Sequence, residues 1–217
     1  MTPMDMGAMA MRPEWTPGYA ALVFATWAVM MAAMMLPGAA PAVFRAARPA
    51  PDRQEGARGI AAALAFTAGY LAVWTVFSAA ATLAQWALDT SDLVTDALAI
   101  RNGVAAGLVI VAVGLYQLTP LKQSCLRHCA SCLDGDRGRN ARERAWRGMR
   151  YGVSCLGCCW ALMALLFVAG AMNAFWMAAI ALWVLAEKNL RWGGRIARLG
   201  GAGLVAWGSV ALALAAF

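Results

Sequence analysis

Apolar residues run along this chain in six long blocks separated by shorter polar stretches. The blocks are Tyr19–Leu36, Ile60–Leu88, Gly103–Leu118, Val153–Ala171, Ala174–Trp192 and Leu199–Phe217. A helix of ~20 such residues crosses the core of a bilayer. The pattern therefore predicts an all-α fold, a polytopic membrane bundle of six transmembrane helices. The fifth block is the weakest, because its uninterrupted apolar part stops at Ala186, ahead of Glu187 and Lys188. The fourth and fifth are joined only at Met172-Asn173, so a re-entrant hairpin there is an open alternative. Residues 1–18 form a tail, and residues 19–217 form a single membrane domain with a cytoplasmic, cysteine-containing loop at 120–152.

Composition agrees. The chain is 62% hydrophobic and 13% charged, with a mean hydropathy of +0.62. Soluble domains carry about a quarter charged residues. The net charge of +7 would suggest nucleic acid only on a soluble basic face, whereas here the charges fall between apolar runs. A nucleic-acid partner is therefore excluded, and a lipid bilayer is expected. The first apolar run is long and lacks a small-residue cleavage site, so it reads as a retained helix rather than a signal peptide. Basic residues set the orientation. Every Lys and Arg except Arg12 and Arg101 falls in the first loop (Arg45 to Arg58), the third (Lys122 to Arg150) or the fifth (Lys188 to Arg198). The positive-inside rule puts those loops in the cytoplasm and both termini outside.

Sulfur supplies the unusual chemistry. The fourth helix carries Cys155-Leu-Gly-Cys158-Cys159-Trp160 and continues to Met163. At helical pitch Cys155, Cys159 and Met163 stack on one face, with Cys158 beside them. The first helix carries Met30, Met31, Met34 and Met35 as two interlocked pairs four apart, with Trp27 in the middle of their arc. Methionine is otherwise a flexible packing residue of such helices. Pro37 and Pro41 are expected to end or kink that helix. The tail adds Met4, Met6, Met9 and Met11, neutral thioethers that suit a soft cation outside the cell.

The third loop begins Pro120-Leu-Lys122 and holds Cys125, His128, Cys129 and Cys132. Cys129 and Cys132 have the spacing of a metal-ligand pair, and Cys125 and His128 would complete four donors. Cytoplasmic thiols stay reduced, which favours metal or redox chemistry over structural disulfides. Lys122, Arg127 and Arg137 are expected to stabilise thiolates there. Beyond them, Arg139–Arg150 reads as a basic interfacial helix with Trp146 and Met149 interleaved. The two orientations of travel bring Met34 and Met35 to the depth of Cys155, Cys158 and Cys159. Tyr116, Gln117 and Glu187 reach that level too. An acidic residue at such depth is a functional candidate, against the alternative that Glu187 snorkels beside Lys188.

The chain resembles a bacterial family of integral membrane proteins described as metal-binding, domain of unknown function 2182. The resemblance rests on Trp27…Met30-Met31-Ala-Ala-Met34-Met35-Leu-Pro37…Pro41, on Gly69-Tyr70…Trp74, and on Tyr116-Gln117-Leu-Thr-Pro120-Leu-Lys122…Cys125…Cys129. It is most specific in Cys155…Gly157-Cys158-Cys159-Trp160…Met163 and then in Gly170…Met172-Asn173…Trp176-Met177…Glu187-Lys188. It implies a bacterial inner (cytoplasmic) membrane location and a bound metal, with copper handling the usual suggestion. Where the family pattern follows Cys129 with a basic residue and proline, this chain has Ala130-Ser131-Cys132, so Cys132 stands outside the shared pattern.

The leading expectation is a copper-handling membrane protein, a metallochaperone or transporter taking Cu(I). Zinc or another soft metal remains open, and a copper chaperone or acceptor protein is the expected partner. The candidate donors are Cys155, Cys158, Cys159, Met163, Cys125, Cys129, Cys132, His128, Met30, Met31, Met34 and Met35. A membrane thiol–disulfide oxidoreductase, or an assembly factor for a copper-containing respiratory enzyme, are the alternatives. Other enzyme readings lack support. His128 is the sole histidine, so a two-histidine haem site or a Ser-His-Asp triad has no basis, and no phosphate-cradling glycine loop is present.

Overall fold

A computed structural model describes residues 14–47, 56–91, 102–131, 140–170 and 173–215, and every regular element among them is a helix. In chain order these are α1 (Pro17–Ala47), α2 (Gly56–Thr90), α3 (Gly103–Leu118), α4 (Pro120–Ser131), α5 (Ala141–Ala164), α6 (Leu166–Ala169), α7 (Ala174–Asn189) and α8 (Gly193–Ala215). The methionine-rich tail, Cys132, Asp92, Asp96, Arg101, Arg137 and Arg139 lie outside the described residues.

Helices occupy all six apolar runs. Four stretches are long and apolar enough to cross a membrane: Pro17–Ala47, Gly59–Thr90, Ala141–Ala169 and Gly193–Ala215. A fifth qualifies if α3 and Pro120–Arg127, which meet at 58°, are taken as one broken span. Helix α7 has 16 residues. At ~1.5 Å per residue it rises about 24 Å, short of the ~30 Å of a hydrocarbon core. Length and composition thus support four or five spans rather than six.

Two local expectations are corrected. Helix α1 runs through Pro37 and Pro41 to Ala47 instead of ending there. A proline forfeits only its own N–H, and neighbouring helices hold the remaining turns in register. The start of the third loop is helix, not loop. Thr119 explains the corner. As the residue before Pro120 it is driven out of the helical region, to φ −67° and ψ 148°. Its hydroxyl donates to the Tyr116 carbonyl at 2.7 Å, ending α3, and accepts from the Lys122 N–H at 3.3 Å, starting α4. The basic segment from Arg142 to Arg150 is helical, as expected, and runs without a break into the fourth apolar run as the first turns of α5.

Small residues set the helix pairings. A Cβ on Gly69 would fall on the Ala145 carbonyl oxygen, and one on Gly148 would fall on that of Phe66, so α2 and α5 touch backbone to backbone. Helices α3 and α8 do the same through Gly107, Gly114, Gly201 and Gly208. In the last helix Gly200, Gly201 and Gly208 sit at close contacts, while Gly203 faces open space. One continuous cluster of buried side chains fills the interior. It includes Trp27, Met31 and Met35 of α1, Tyr70 and Trp74 of α2, and Cys155, Cys158, Cys159 and Met163 of α5. The outer faces carry exposed Leu22, Val29, Leu64, Val76, Leu182 and Leu214.

Candidate metal centre

The cysteines of α5 point inward. Cys155, Cys158, Cys159 and Met163 are all buried, as the spacing of four predicted. Cys158 and Cys159 each donate their thiol to the Cys155 carbonyl at 3.0 Å, the back-bond open to a short side chain on a helix. The Cys155 sulfur is engaged differently. It meets the Tyr70 hydroxyl at 3.2 Å, and the Lys188 ammonium donates to it. The same Tyr70 hydroxyl donates to the Met35 carbonyl at 3.2 Å. That shared phenol puts the backbone of Met35 at the level of Cys155.

The second cysteine cluster joins the first. Helix α4 packs on α5 and brings the buried Cys129 thiol beside Cys158 in the same buried cluster. Cys125 comes alongside Gly157, where an added Cβ would lie 3.0 Å from its sulfur. Gly157 is also held by the Tyr116 hydroxyl, which donates to its carbonyl oxygen. The two patches, thirty residues apart in the chain, thus form one thiol cluster. The His128 side chain and Cys132 lie outside the described residues.

The methionines of α1 divide. Met31 and Met35 are fully buried on the stripe Val23, Trp27, Met31, Met35, whereas Met30 and Met34 are only partly buried at its flank. Trp27 stacks on Phe167 of α6 at 5.6 Å and donates to Gln85 of α2 at 2.8 Å. Only half of the expected thioether set therefore shares the fully buried stripe.

Lys122 is fully buried and pairs with Glu187 at 2.6 Å, and its charge also acts on the Cys158 thiol, the role expected of it. Gln117 accepts from Lys122 and donates to Glu187 at 3.2 Å, while Trp183 donates to the same carboxylate at 2.7 Å. Glu187 is thus held by the fold rather than snorkelling. Arg127 donates back to the Gln123 carbonyl within α4.

The sequence reading missed three groups. Lys188 and Tyr70 entered there as motif residues without a role at the thiols. The third is a buried polar stripe on α2, made by Ser78, Thr82 and Gln85 above Tyr70 and Trp74. Its spacing of about four was the available signal. The Trp74 indole N–H is buried without a partner.

This donor set is soft. Among the described residues Glu187 is the only buried carboxylate, and Lys122 already neutralises it. Thiols and thioethers select Cu(I) over hard divalent ions. No three His, Cys, Asp or Glu side chains among the described residues surround a common point. Cu(I) is satisfied by two sulfurs, so a pair of thiols suffices for it where a tetrahedral ion would lack ligands.

The sequence pattern of a family described as copper chaperone, PpoB2, matches residues 24–211. The chain belongs to that family. The match takes in α2 to α7 whole, most of α1 and α8, and both cysteine patches, so the copper assignment covers the helices that build the thiol cluster. No curated protein and no solved structure matches the chain.

Proposed function

We propose that this protein is a multi-pass membrane copper chaperone that takes Cu(I) as cargo at the thiols of α4 and α5 and surrenders it to an acceptor protein. The observation that carries the reading is the junction of Cys129 with Cys158, which unites two distant cysteine patches inside the bundle. Membership of a copper chaperone family supplies the cargo. The motifs shared with domain of unknown function 2182 run through the same helices and support the same bacterial inner-membrane location. The exposed aliphatic outer faces support a bilayer around the bundle, and the placement of basic residues supports cytoplasmic thiols with both termini outside. Six spans follow if α7 crosses together with the bent pair α3–α4.

Chemically, each thiol gives up its proton when it binds the ion, and an ion shared between two helices is easier to release than one enclosed by four ligands. A partner thiol reaching the cluster at Cys125, its partly exposed member, can then take the copper by exchange. Met31, Met35 and Met163 are weaker neutral donors in the same buried cluster. The test is Cu(I) stoichiometry of anaerobically purified protein. The triple variant C155S/C158S/C159S is expected to lose bound copper, and unchanged stoichiometry would sink the proposal.

Transport is the second reading, favoured by the buried stripe Ser78, Thr82 and Gln85 that continues from Tyr70 along α2. A polar and sulfur-lined interior is costly inside a bilayer unless something uses it. Silver uptake into proteoliposomes separates the two: flux blocked by S78L or Q85L indicates transport, and loading without flux indicates a chaperone.

A further inference from the structure

Lys188 and Glu187 are neighbours in sequence, yet they serve opposite sides of α7. Glu187 turns to α3 and α4, where Lys122 neutralises it at 2.6 Å. Lys188 turns to α5, and its ammonium donates to the Cys155 sulfur. Cys158, Cys159, Cys129, Tyr70 and Tyr151 also act on that ammonium, and none of them is a carboxylate. Lys188 is part-buried, and an ammonium directed into the thiol cluster must be compensated locally, because the interior screens charge poorly. The thiol cluster is the compensation.

We infer that Lys188 fixes the charge of the ion the thiols accept, selecting a monovalent over a divalent soft cation; this rests on the copper reading above. Two thiolates around one monovalent ion carry a net charge of minus one, which Lys188 cancels. Two thiolates around a divalent ion are already neutral, and Lys188 then leaves an excess positive charge in the core. With no three ligands converging among the described residues, a third thiolate is not in place to absorb that excess. Lys188 is thus a built-in discriminator of valence, acting through charge rather than as a ligand. Tyr70, which meets the Cys155 sulfur at 3.2 Å from the α2 side, holds that sulfur in place without changing the balance.

The test is competition between Ag(I), a redox-stable stand-in for Cu(I), and Zn(II) on the detergent-purified full chain, read by elemental analysis. The wild type should retain Ag(I). In K188M the Ag(I)-to-Zn(II) occupancy ratio should fall by about tenfold or more, and K188R should restore it, since only the charge matters. A ratio unchanged in K188M, with Ag(I) still bound, would overturn the inference while leaving the copper reading intact. Failure of the wild type to bind Ag(I) at all would overturn the copper reading and this inference with it. Should K188M fail to fold, C155S/K188M decides, because neither member of the pair is then left alone. Pairing predicts that this double variant folds, and a double variant no more stable than K188M overturns it.

Discussion

Gly148 stands where α5 crosses α2, and its missing side chain lets the two backbones meet. A methyl there would land on the Phe66 carbonyl oxygen and lie 3.0 Å from the Tyr70 N–H nitrogen. Neither is the end of a flexible side chain, so the helices themselves would have to part. G148A is expected to cost about 1–3 kcal/mol, the range for overpacking, and to disturb Tyr70 at the thiols. G203A, which meets nothing within 4 Å, should leave the melting temperature unchanged. Thermal melting of the two purified variants checks both. At this scale the sequence was informative about thiols, because a spacing of four fixes a helix face whatever packs on it. It was uninformative about Lys188, whose partner lies 33 residues away on another helix. Charge alone suggested the water interface, and only the packing of α7 on α5 sends the ammonium inward.

Helices α3, α4 and α7 are tied by one buried polar knot. The side chains of Lys122, Gln117, Glu187 and Trp183 bond to one another across three elements. Removing one charge strands the other, and breaking such a pair costs about 3–5 kcal/mol. E187Q keeps an oxygen for Trp183 and should still lose that much stability, with α4 loosened from α7. The double variant K122M/E187L, with no charge to strand, should melt above E187Q. A melt of E187Q equal to wild type would show that the pair does not anchor α4. This knot explains why α4 reads as a loop in sequence. Half of its residues are polar, so it lacks the long apolar run that marks the other helices, and it is set by Thr119 and Pro120 at its start and by Lys122 buried at its first turn. The six apolar runs needed no such help, since their hydrophobicity alone commits them to helix.

For the molecule as a whole, the sidedness of α7 decides how the bundle sits in a membrane. Helix α5 with α6 is long enough to cross and ends at Gly170, whose φ of 89° turns the chain. Asn173 then caps α7, accepting from the Phe175 N–H at 3.1 Å. If α7 crosses, the bilayer must thin by several ångströms around a helix of 16 residues, or Trp192 and its basic neighbours must reach the interface. If it does not, α6 and α7 fold back as a re-entrant pair. Cysteines placed one at a time in a cysteine-free chain distinguish these. With the basic loops inside, S91C should react with a membrane-impermeant thiol reagent applied to intact cells, and N140C should react only after lysis. N173C is the deciding position. A crossing α7 places it outside, where it should label as strongly as S91C. A re-entrant pair leaves it within the bilayer, silent from both faces. Labelling of N140C but not S91C on intact cells would reverse the orientation and put the thiols outside, where oxidation would compete with copper for them. Sidedness therefore bears on the chemistry as well as the topology, because only the reducing face keeps Cys129 and Cys158 as the free thiols that the proposed site needs.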